Sequence, residues 1–175
     1  MRALFKAAAA ALIALAAAGC FYSERELIGF WRADRGLPPG EYTHAPFSVE
    51  GVEWGGYTWR GEIRYSGRRY VSDAENFPHQ GARLRRLSGD IYLAQLPRDD
   101  GIGYGVMFIY PQMATYHMPD CHRLPDPTLD EKGISLDEEG FCRIDDLDQL
   151  EDVMRTYLDE LDGEVRIDGI YRRVR

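Results

Sequence analysis

The sequence predicts a mainly β, α+β domain: an antiparallel meander of about eight strands, closed as a barrel or stacked as a sandwich, then one C-terminal helix and a closing strand. Three observations carry this. Runs of strand formers between residues 26 and 118 are divided by short turns, two of them Ser-Gly hairpins. Two of those runs are apolar on both alternate sets of positions, as strands covered on both faces must be. Residues 146–161 alone carry the three- and four-residue spacing of an amphipathic helix.

Strands are expected at 26–33, 40–45, 57–65, 68–73, 82–87, 90–96, 102–110 and 112–118. Tyr65-Ser66-Gly67-Arg68 and Leu87-Ser88-Gly89-Asp90 place a glycine where a tight hairpin needs positive φ. Asp99-Asp100-Gly101 is a third turn, and Pro111 separates the last two strands. Ile91–Leu96 and Val106–Tyr110 are the doubly covered runs, whereas Glu62-Ile63-Arg64-Tyr65 and Arg83-Leu84-Arg85 alternate polar with apolar. Neighbours joined by such short turns pair antiparallel. Pro119, Pro125 and Pro127 then mark a long loop between Cys121 and Cys142, too rich in prolines and acids to pack a core. In the helix, Leu147, Leu150, Val153 or Met154, Tyr157, Leu158 and Leu161 share one face. Asp146 with Gln149 makes a capping box, and Gly163 suits the stop. Val165–Ile167 and Ile170–Val174 read as the closing strand, bent at Gly169.

The N-terminus gives an address. Arg2 and Lys6 precede an apolar run, Ala7–Ala18, too short to span a bilayer permanently, and small residues lead into Cys20. Leu15-Ala16-Ala17-Ala18-Gly19-Cys20 resembles the lipobox of bacterial lipoproteins. That resemblance implies a signal peptide over 1–19, cleavage before Cys20 and acyl chains on Cys20, two or more of which hold a protein stably on a membrane. Residues 20–25 would be the lipidated tether and 26–175 a single β-rich domain. Phe21, rather than Asp, follows the cysteine, which resembles lipoproteins sorted to the outer membrane. The expected place is therefore the bacterial cell envelope, on the periplasmic face of the outer membrane.

Cysteine arithmetic agrees. With Cys20 assigned to lipid, Cys121 and Cys142 remain as a pair, and in an oxidising compartment a disulfide is the simplest expectation. Two free thiols serving a metal or a reaction are the alternative. The chain has 175 residues and formal net charge −8; losing the leader's two cations leaves −10. Such acidity disfavours nucleic acid and free adsorption to anionic lipid, so the acyl anchor is expected to be the sole membrane link.

Gly29-Phe30-Trp31 resembles the Gly-x-Trp that opens lipocalin barrels, and the meander–helix–strand layout resembles the same family. The resemblance implies a barrel carrying a small apolar ligand, with Trp31 plugging its base. The family's later Thr-Asp-x-x-Tyr motif is absent. Trp54, Tyr57 and Trp59, among Gly51, Gly55 and Gly56, form the candidate ligand or partner edge.

Other constellations carry less. Met113, His117, Met118, Cys121 and His122 gather soft copper-type ligands without an established metal spacing. The acidic loop 126–139 has Glu131 and Asp137 where a calcium loop needs Gly and Glu. Gly101-Ile102-Gly103-Tyr104-Gly105 enters a strand, not the helix that a phosphate cradle requires. Arg64, Arg68, Arg69, Arg83, Arg85 and Arg86 read as cross-strand partners of Glu62, Asp73 or Asp90, or as an anion-facing patch. No catalytic signature is present, and neither a cofactor nor a metal is expected. The sequence thus points to a membrane-anchored module, non-catalytic, that binds an envelope protein or serves structure. A carrier of a small apolar ligand and an enzyme of unrecognised type are the alternatives.

Overall fold

The structure, a computed structural model, describes residues 21–48, 50–53, 55–99 and 101–174. Residues 1–19, the expected signal segment, and Cys20 lie outside the described residues. The strands are β1 (Phe21–Ser23), β2 (Gly40–Pro46), β3 (Trp59–Ser66), β4 (Arg69–Val71), β5 (Arg83–Ser88), β6 (Ile91–Arg98), β7 (Gly101–Ile109), β8 (Met113–His117), β9 (Ser135–Leu136), β10 (Cys142–Arg143) and β11 (Gly169–Arg173). The helices are α1 (Asp126–Glu131) and α2 (Leu147–Glu160).

Seven strands of the expected meander are present, β2 to β8, each paired antiparallel with the next. The step from β4 to β5 is one bridge, in which Tyr70 N donates to Ala82 O and Gly81 N to Tyr70 O, both at 2.8 Å. The late strand β11 inserts between β8 and β2, antiparallel to both. Eight strands therefore form a ring whose seam, between β4 and β5, is that single bridge. At the β3–β4 turn Gly67 and Arg68 both take positive φ, 58° and 60°, the backbone a two-residue hairpin demands.

The two faces of β6 and β7 divide the apolar core in two. Tyr92, Ala94, Met107 and Ile109 point into the ring with Tyr42, Trp59, Ile63, Tyr70, Leu84, Ala114 and Tyr171. Leu93, Tyr104 and Val106 point outward, under α2 and the N-terminal segment. The α2 residues Leu147, Leu150, Val153, Met154 and Tyr157 are all buried there, as the helical spacing predicts. Asp146 caps α2 by accepting from Gln149 N at 2.8 Å, but Gln149 returns its own side chain to Asp145 N, one residue outside the expected box.

Three expectations are corrected. No strand forms over 26–33: Leu27 N and Ile28 N both donate to the Gln95 side chain, at 2.9 and 2.7 Å, so these amides are not available to a ladder. A short 3-10 turn, Phe30–Arg32, follows, and Trp31 on it is 86% exposed rather than a plug. The ring is filled instead by Leu37, Phe77 and the inward side chains of its strands. Gly36 is required beside Leu37, because a Cβ there would lie 2.7 Å from Ile109 and 2.8 Å from Tyr92. Nor are residues 21–25 a free tether, since β1 pairs with β7 and, in parallel, with β10. Finally, the loop between the cysteines does pack a core. Pro125 caps and Pro127 opens α1, where a missing N–H costs nothing, and Leu124, Leu129 and Ile134 are buried against α2.

Cys121 and Cys142 form the expected disulfide, with Cα atoms 6.3 Å apart and both residues fully buried. It joins the end of the β8 connection to β10 and hence to β1. The cross-link spans 21 residues, so its loss from the unfolded-state constraint amounts to about 3 kcal/mol. Replacing both cysteines with alanine is expected to lower unfolding stability in urea by that amount, and purified protein should show no free thiol at either position before reduction.

Candidate functional site

The expected aromatic edge is brought together only in part. Trp59 is 5% exposed and packs its ring 4.8 Å from Phe77, so it belongs to the ring interior. Inward parity from Ile63 through Gly61 to Trp59 explains this: alternate residues of β3 face one side. Trp54 lies outside the described residues. Tyr57 remains exposed, as does Val52, on the β2–β3 loop. That loop is tied down by a bidentate pair from Arg172 to Glu53, at 2.6 and 2.7 Å, and by the Phe47–Glu53 bridge.

The same end of the ring holds a cluster that the sequence reading missed. His44 on β2 and His79 on the β4–β5 loop meet Tyr116 on β8 and Tyr171 on β11, with ring centres 4.7–6.3 Å apart. His44 Nδ1 bonds Thr58 Oγ1 at 3.2 Å and its Nε2 bonds Tyr116 Oη at 3.1 Å. His79 Nδ1 bonds Tyr171 Oη. Burial pushes His44 down to about 4 and His79 to about 3, the latter helped by the neighbouring His44. Burial also raises Tyr116 to about 12 and lifts Tyr171 well above the usual phenol value. All four groups are thus neutral at pH 7, and the cluster is a hydrogen-bonded polar lining. Parity was the available signal, since His44 shares the inward register of Tyr42.

A second polar chain replaces the soft-ligand reading of His117. Its Nδ1 bonds Asp168 Oδ2 at 3.1 Å and its Nε2 bonds Tyr157 Oη at 3.0 Å. Asp168 also accepts from Met118 N at 2.7 Å and pairs with Arg166 at 2.8 Å. Burial opposes ionisation of Asp168, but His117, Met118 N and Arg166 outweigh it and hold its carboxyl below the usual range. A carboxylate–imidazole–phenol relay has the parts of a catalytic one. Here the phenol is 1% exposed and its oxygen already accepts from Asp120 N at 3.2 Å, so the relay ties α2 to β8. Among the described residues no three His, Cys, Asp or Glu side chains converge as metal ligands.

The arginines are held mostly by the N-terminal segment. Glu26 takes Arg69 and, at 2.6 Å, the buried Arg83, which also donates to Ile28 O at 3.0 Å. Arg85 reaches Asp34 and Glu151, and only Arg64 keeps an expected partner, Asp73. Phe30 and Trp31 are 44% and 86% exposed. No protein-family model, curated protein or solved structure matches the chain.

The buried imidazoles predict a pH dependence whose sign follows from linkage. Their folded values lie below the ordinary 6.5, so the unfolded chain binds protons first as pH falls. Their contribution is whole above about pH 6.5 and drains towards about pH 4. Urea midpoints are expected to drop between about pH 7.5 and pH 5, and His79→Gln should flatten that slope by about one proton. An equal slope in the variant would contradict the assignment.

Proposed function

We propose that this is a lipid-anchored protein of the bacterial envelope, acting without catalysis as a binding or structural module. The observation that carries the reading is the filled interior of the ring. The interior cavity lined by Leu37, Ile63, Phe77, His79 and Met107 measures about 20 Å³, room for a single water. A module of this kind works through its surface. Support for export comes from the buried Cys121–Cys142 bridge, which an oxidising compartment maintains. Support for the anchor comes from the tripartite leader ending at Cys20. The periplasmic face of the outer membrane is the proposed location, on the Phe21 sorting resemblance.

The carrier alternative shares the eight-stranded ring but needs a hollow one. Drug-sized ligand pockets run to several hundred Å³. Trp59, Phe77, Tyr92 and Tyr171 occupy that space here.

Cys20→Ser in the producing cell is expected to abolish acylation and release the chain from membranes or stall it as precursor. Mass measurement of the N-terminal peptide and fractionation report this; unchanged processing and retention would overturn the anchor. Organic extraction of the purified wild type should yield no apolar ligand in equimolar amount, and recovery of one would restore the carrier.

A further inference from the structure

The net charge of −8 conceals a basic, aromatic surface beside residues 30–36. Arg35, Arg68 and Arg86 have no carboxylate within ion-pair distance among the described residues. Each guanidinium lies over a ring instead: Arg35 over Tyr65 at 5.8 Å, Arg68 over Phe30 at 5.2 Å and Arg86 over Tyr92 at 5.2 Å. Stacking orients these charges without neutralising them. The carboxylates nearest the turn, Asp34 and Asp148, are taken by Arg85 and Arg32 at 3.6 and 3.4 Å.

Phe30, under Arg68, packs edge to face against Trp31 with centres 5.1 Å apart. The turn that presents them is fixed by Arg32 N and Ala33 N donating to Gly29 O, and by Arg68 donating to Ala33 O at 2.7 Å. An indole 86% exposed on this turn, with the Arg68 guanidinium stacked on the ring it packs against, suits the headgroup zone of an anionic bilayer. A protein pocket would need to be both concave and acidic to receive it. Trp31 follows Cys20 by eleven residues, so an anchored Cys20 keeps it within about 36 Å of the bilayer along the chain. An acidic chain does not adsorb freely, but a tether makes contact intramolecular, at an effective concentration near millimolar.

We propose that Phe30 and Trp31, with Arg35, Arg68 and Arg86, form a second membrane contact that orients the domain on an anionic lipid surface. The contact rests on the anchor at Cys20. Each guanidinium at such a surface favours the docked orientation by about fivefold.

The full chain, purified from membranes in detergent, is reconstituted into vesicles of brominated phosphatidylcholine, with or without phosphatidylglycerol. Flotation at high salt reports the anchor, and quenching of indole fluorescence, corrected by Trp31→Phe protein, reports the contact. Flotation is expected in both vesicle types, with Trp31 quenched more strongly on the anionic one, where three guanidiniums at about fivefold each favour docking by about a hundredfold. The difference should vanish in the Arg35→Gln, Arg68→Gln, Arg86→Gln triple variant. It should also vanish for wild type at about 1 M salt, where screening acts within about 3 Å, a control that needs no variant to fold. Flotation with equal quenching on both vesicles overturns the contact and leaves the patch to an acidic protein partner. Absence of flotation overturns the anchor and the contact together.

Discussion

β6 and β7 are apolar on both faces, and covering both faces at once organises the rest of the chain. One face is satisfied by rolling the meander into a ring, so that Tyr92 and Met107 meet Tyr42, Ile63 and Tyr171. The other leaves Leu93, Tyr104 and Val106 to be roofed by elements outside the ring. At roughly 1.5–3 kcal/mol for each large side chain buried, neither face can be left to water in a domain of this size. The roof is built from α2, the disulfide-linked segment and residues 21–28. The buried Gln95, facing outward from β6, receives Leu27 N and Ile28 N and so converts the chain after β1 from a linker into part of the fold.

How much of this was legible follows from the range of the interactions concerned. Hairpins and helix were readable because their signals are local: Ser66-Gly67, the parity of β3, the apolar face of α2 and its Asp146 cap. The disulfide was readable because three cysteines, one of them spoken for by the lipobox resemblance, leave a single pairing. What failed were residues whose role is set by distant partners. Trp31 reads as a core residue by type, yet its neighbours Leu27 and Ile28 are diverted to Gln95 some 67 or 68 positions away. Trp59 sits in a Gly-rich stretch that reads as a loop, but ring closure makes its register inward. The His44–His79–Tyr116–Tyr171 cluster draws on four separate elements, and no window of sequence contains it.

Two clusters on the ring differ in chemistry. Arginines stacked on aromatics gather beside residues 30–36, whereas a neutral imidazole–phenol cluster lies against the β2–β3 loop. The acidic helix α2 borders the arginine cluster, where its Asp148 pairs with Arg32 and its Glu151 with Arg85. A domain with so localised a basic cluster gains a preferred orientation once one point of it is fixed. The N-terminal segment is the natural fixing point, because it runs from β1, held by β7 and β10, to the Glu26 latch on Arg69 and Arg83.

Native-state hydrogen exchange at Leu27 and Ile28 tests that integration most directly. Amides bonded to a buried Gln95 open only when the roof leaves the ring, so their protection should approach that of the β6–β7 ladder and collapse together with it in Gln95→Ala. Exchange of both amides at the rate of an unstructured segment, with the ladder still protected, would show that residues 21–28 are a tether after all and that the outer core stands without them.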